Sequence, residues 1–173
     1  LTAGASESLA GRAAILTLPT LSLPEVFPHA STAEADRFLW RSGYPELWQR
    51  PDLARELWMG SYVATYLERD VRQALNVGDL RDFDRLVRVA ALRAGQLVSY
   101  ADIARDVGIS PNTAKRWLSV LEASQQVFFL EPYHRQRTKR LIKAPKIYFS
   151  DTGLLCFLLG FQRADDLTSH AMW

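Results

Sequence analysis

The stretch from Ser99 to Leu121 constrains the chain most, because it carries two helix starts, one turn and one apolar stripe in 23 residues or so. Ser99 is placed to cap a short helix whose apolar side is Tyr100, Ile103, Ala104 and Val107. Gly108-Ile109-Ser110 then forces a tight turn. Pro111 follows at the first position of a new helix behind a capping Ser110, and Ala114, Trp117, Leu118 and Leu121 recur at three and four. Helix, turn and helix at this spacing predict a helix-turn-helix. Beyond it, Gln126–Leu130 and Lys146–Phe149 are rich in β-formers and predict the strands of a hairpin, or wing. The fold class expected is therefore mainly α with a small β component: a helical segment followed by a winged helix-turn-helix with a basic β-hairpin.

Charge gives that hairpin its interest. The chain of 173 residues has 21 Lys plus Arg against 19 Asp plus Glu, a net +2 that implies little about partners. Residues 132 to 149 hold Arg135, Arg137, Lys139, Arg140, Lys143 and Lys146 with no acid, which is +6. The remainder has 15 basic and 19 acidic side chains, which is −4. A localised positive pole beside a helix-turn-helix suits double-stranded DNA. With the apolar stripe inward, Asn112, Lys115, Arg116 and Ser119 take the opposite face of the second helix, and Thr113 stands at its positive N-terminal end. Asn suits adenine, Arg and Lys suit guanine or phosphate, and Ser suits either. Arg135, Arg137, Lys139, Arg140 and Lys143 are placed to follow the phosphates. The competing reading is a docking module whose basic hairpin pairs with Asp79, Asp82 and Asp84.

Upstream, Ala13–Leu18 is an apolar run between breakers and reads as a buried strand. Ser31 with Glu34 forms a capping-box pattern that starts a helix, Gly43–Glu46 reads as a turn, and Pro51 as the start of another helix. Ser61–Leu75 and Leu80–Ala94 are helical in period, the second ended by Gly95. Asp151 is placed to cap a short apolar helix, Leu154–Leu159, closed by Gly160.

Enzyme chemistry has little support in these residues. No phosphate-loop or dinucleotide-binding glycine pattern occurs. His29, His134 and His170 share no ligand spacing, and Glu68 and Asp70 lie on different faces of their helix. Cys156 is the single cysteine, inside an apolar run, and reads as a core thiol in a reducing cytosol. The longest apolar run is far short of the roughly 20 residues that span a bilayer, so no membrane partner is expected. The absence of an initiator Met and of a closing element predicts a piece of a longer protein.

Several segments also carry a family resemblance: Ser8–Arg12, Pro19–Glu25, Ser61–Val63 with Tyr66–Val71, Thr113–Ser124, Pro132–His134, Lys139–Phe149 and Asp151–Leu154. In order along nearly the whole chain, they resemble prokaryotic ATP-binding proteins of the AAA+ superfamily that carry a C-terminal domain of unknown function. The resemblance implies four regions: 1–30 as the tail end of an ATPase core, 31–77 as a helical connection, 78–150 as the winged helix-turn-helix, and 151–173 as the start of a further domain. It places the phosphate loop and magnesium site before Leu1, so ATP and Mg belong to the parent protein, with none held by this chain. Arg12 becomes a candidate nucleotide-sensing arginine, or else a structural ion pair at a loop end. The family's C-terminal part resembles restriction-endonuclease-like folds, whose acidic and Glu-x-Lys positions would follow Trp173. The missing ATPase core is thus one implied partner and DNA another, with the oligomeric state open.

Overall fold

The computed structural model describes residues 14, 16–66, 80–133 and 144–169. Among them the chain is mainly helical, with one two-stranded antiparallel sheet. The order is α1 (Leu23–Val26), α2 (Thr32–Arg41), α3 (Pro45–Gln49), α4 (Arg55–Tyr66), α5 (Leu80–Leu92), α6 (Tyr100–Val107), α7 (Pro111–Ala123), β1 (Val127–Leu130), β2 (Lys146–Phe149), α8 (Thr152–Leu158) and α9 (Asp166–Ser169).

Local chemistry explains most of the boundaries. Ser31 and Glu34 close a full capping box at the start of α2, the Ser31 amide donating to Glu34 Oε2 at 2.9 Å. Ser99 accepts from the Asp102 amide and Ser110 from the Thr113 amide, so both predicted starts of the helix pair hold. Gly108 ends α6 with φ +91°, a left-handed conformation that glycine adopts without strain. The helix expected to run to Ala94 stops at Leu92, and Gly95 (φ +78°) lies three residues beyond it, its amide donating to the Ile147 carbonyl rather than to α5.

Four expectations change. The strand expected at Ala13–Leu18 is absent from its described part: residues 14 and 16–20 are irregular, and Leu16 and Leu18 are 89% and 93% exposed. Among the described residues this run pairs with no strand, and an apolar run outside a ladder is not a strand. Pro45 opens α3 instead of standing in a turn, and Pro51 lies in a turn while the next helix begins at Arg55. The helix expected at Ser61–Leu75 starts earlier, at Arg55, and is described to Tyr66; residues 67–79 lie outside the described residues.

One core joins nearly all elements. Phe83, Leu86 and Ala90 of α5 meet Ile103 and Val107 of α6, and Trp117, Leu118 and Leu121 of α7. Val127 and Ile147 close it from the sheet, and Leu47, Met59 and Leu154 from α3, α4 and α8. Phe83 and Trp117 meet edge to face at 5.5 Å between centroids.

A buried polar clasp fastens α8 to the end of α2. Asp151 Oδ1 accepts from the Leu154 amide at 2.7 Å, as expected of a cap. Its Oδ2 reaches 109 residues back to the Ser42 hydroxyl and also takes the Gly43 amide, both at 2.9 Å. Ser42 has φ +98°, and Gly153 lies so close that a Cβ there would stand 2.5 Å from the Ser42 amide nitrogen. Beside it the buried Arg55 donates from Nε to the Trp40 carbonyl and from Nη2 to the Gly153 carbonyl, both at 2.8 Å, and lies 4.4 Å over the Trp40 ring. Burial pushes the Arg55 guanidinium down from its ordinary value, opposed by Glu56. The bonds to two carbonyls satisfy a charge that would be costly to bury alone.

Candidate nucleic-acid interface

Helix α7 sorts its residues by direction. At about 100° per residue, Asn112, Lys115, Arg116 and Ser119 fall within an arc of about 100°, opposite Ala114, Trp117, Leu118 and Leu121. All four of the first set are exposed, and all four of the second are buried. Thr113 stands to one side, half-buried, its hydroxyl 2.8 Å from that of the capping Ser110. The Ser119 hydroxyl donates to the Lys115 carbonyl at 3.0 Å and keeps its acceptor lone pairs outward.

The electrostatic setting separates two of these residues from most of the described arginines. Arg50, Arg55, Arg85, Arg88, Arg93, Arg105 and Arg163 each face a carboxylate. Lys115 and Arg116 face none among the described residues. The acids named as possible partners of the hairpin are used locally: Asp84 takes Arg88 at 2.9 Å, and Asp82 lies 4.0 Å from Arg85. Asp79 lies outside the described residues, as do Arg12, Arg135, Arg137, Lys139, Arg140 and Lys143.

The sheet presents a second surface that sequence reading does not single out. Register pairs Phe128 with Tyr148 and Leu130 with Lys146, and Leu97 bridges to Lys146 on its other side. Val127, Ile147 and Phe149 are buried on the inner face, leaving Phe128, Leu130, Lys146, Tyr148 and Leu97 on the outer one. Phe128 and Tyr148 stack at 5.5 Å and 16° between rings. Two strands with apolar residues on both faces show no period-two alternation, so their sequence gives no sign of which residues turn outward.

Elsewhere, a cavity of about 390 Å³ lies between residues 17–20 and the α7–β1 junction, lined among others by Tyr44, Tyr62, Glu122, Gln126 and Phe128. Burial pushes the Cys156 thiol up to about 11, so it is a poor nucleophile at neutral pH. Among the described residues no three His, Cys, Asp or Glu side chains gather to hold a metal ion, and no helix is long and apolar enough to cross a membrane.

Comparison with known proteins supports the domain-of-unknown-function part of the resemblance, and none of the matches names an ATPase. An uncharacterized protein of Mycobacterium bovis is 36% identical over 157 residues, which is 90% of this chain and 35% of that protein. An uncharacterized protein of Mycobacterium tuberculosis matches with the same figures. The chain therefore spans about a third of the length of these curated relatives. No solved structure gives a significant match. The model of a domain of unknown function, DUF8612, matches residues 32–165, from the first residue of α2 to the residue before α9, and the chain belongs to that family.

Proposed function

We propose that this chain is the DNA-binding, regulatory region of a longer AAA+-like ATPase, and that α6, α7 and the hairpin act as a winged helix-turn-helix. The observation that carries this reading is the exposed face of α7, where Lys115 and Arg116 stand without carboxylate partners between Asn112 and Ser119. Elsewhere on the described surface arginines are largely neutralised, so this face keeps a charge that phosphates can take up. The relatives' greater length leaves room for an ATPase core. The residues of this chain do not themselves fit ATP and magnesium: the sequence has no phosphate loop, and no metal-binding cluster forms among the described residues.

The test is fluorescence anisotropy with duplex DNA across about 50 to 200 mM salt. Binding should weaken steeply with salt, and the double variant Lys115→Ala, Arg116→Ala should reduce the slope of log K against log salt by roughly 2. Absence of binding at low salt, or an unchanged slope, refutes the reading.

A second reading is favoured by the exposure of Leu16 and Leu18. Here the region docks on an ATPase core or a partner protein through these residues, without touching nucleic acid. It predicts self-association of the isolated chain that Leu16→Ser, Leu18→Ser relieves; a clean monomer in sedimentation counts against it.

A further inference from the structure

We propose that the outer face of the β1–β2 sheet binds single-stranded nucleic acid, with unpaired bases stacking on Phe128 and Tyr148 and Lys146 holding the adjoining phosphate. A sheet that packs one face on a core normally turns polar residues to water on the other. This one turns Phe128, Leu130 and Leu97 outward, at 47%, 54% and 62% exposure, with Tyr148 between them. The two rings stack on one another, 16° apart with 5.5 Å between centroids, so that a base would extend the stack rather than lie across both rings. Lys146 sits in the middle of the row between Leu97 and Leu130 and faces no carboxylate among the described residues.

Charge selects this occupant over an apolar protein surface. The chain from Pro132 to Phe149, which leads into β2 and includes it, has six cations and no acid. The nearest acid in sequence, Glu131, lies just past the end of β1 and pairs with no cation of this face among the described residues. Aromatic rings and a lysine on one sheet face are what sequence-tolerant single-strand binding uses, because every base has a π-face and every nucleotide a phosphate.

The platform is separate from α7, so the two readings fail separately. Labelled oligo-dT and oligo-U of about 15 nucleotides and a duplex of equal length are titrated against the chain by anisotropy at low salt. The single strands should bind, with the two arms telling DNA from RNA. Phe128→Ala with Tyr148→Ala should weaken single-strand binding at least about tenfold and leave duplex binding as it was. Phe128→Trp should keep the affinity, and Leu130→Glu, at an exposed site beside Lys146, should lower it without unfolding the chain. Lys115→Ala with Arg116→Ala should affect the duplex alone. The proposal is overturned if no single strand binds at low salt, or if the double alanine variant binds as tightly as the parent. It is overturned also if sedimentation shows this face buried in a dimer that Phe128→Lys dissolves.

Discussion

Replacing Asp151 by alanine tests the clasp that ties the two ends of the fold together. The substitution strips three donors of their acceptor at once: the Ser42 hydroxyl and the Gly43 and Leu154 amides, bonded at 2.9, 2.9 and 2.7 Å. A hydrogen bond to a charged acceptor contributes about 1.5–3 kcal/mol net, and a buried donor left bare costs about 1–3 kcal/mol. Water entering the space left by the carboxylate would recover part of this, so the expected loss is about 4 kcal/mol, near the top of the usual range for one substitution. With a urea m-value of about 2 kcal/mol/M, the midpoint of denaturation should fall by about 2 M. Asp151→Asn keeps the shape but turns an amide donor toward one of the three donors, and should lose about half as much. Combining Asp151→Ala with Ser42→Ala should give a coupling of about 1–2 kcal/mol, because the hydroxyl no longer matters once its acceptor has gone. A loss below about 1 kcal/mol for the alanine variant would show that the carboxylate bonds add nothing over solvation in the unfolded chain.

Three other outcomes follow from described contacts. Gly153→Ala would drive a methyl into the Ser42 backbone, so α8 must move from α2; thermal unfolding should show a loss of at least about 3 kcal/mol, comparable to the loss of the clasp. Glu34 is held below the usual carboxylate range by the Ser31 amide and hydroxyl, so the stabilisation of α2 is complete above the ordinary Glu value and vanishes as pH falls through the depressed one. NMR titration of the Glu34 carboxyl should show the lowered midpoint, and Ser31→Ala should return it toward normal. Cys156, buried with its thiol raised to about 11, should react with a thiol reagent at pH 8 or so only as fast as the protein opens, and promptly in urea.

How much of this was readable in advance depends on how far each residue reaches. Ser99, Gly108, Ser110 and Pro111 act within four residues or so, and the helix pair they bound could be placed from the sequence. The faces of α7 were legible for the same reason, because its apolar stripe repeats at three and four. Asp151 shows the limit. Its capping bond to Leu154 is local and was expected, whereas its bonds to Ser42 and Gly43 cross more than a hundred residues and leave no local pattern. The platform of Phe128 and Tyr148 was hidden in another way: Val127–Leu130 is apolar throughout, and only register tells which side faces water. Leu16 and Leu18 carry a strand's composition, but a strand exists only by pairing, and among the described residues they pair with no other strand.

The placement of Arg55 has a consequence for the order in which the chain can fold. Its guanidinium is desolvated between a carbonyl 15 residues before it and another 98 residues after it. Until Gly153 arrives, the charge must stay in water and α4 cannot settle against the end of α2. A collapsed intermediate built from the first helices alone would bury that cation with only the Trp40 carbonyl and Glu56 as partners, one acceptor short, which disfavours it. The early helices should lock only when the late ones do, so that hydrogen exchange at Met59 and Leu154 reports one cooperative unit rather than two.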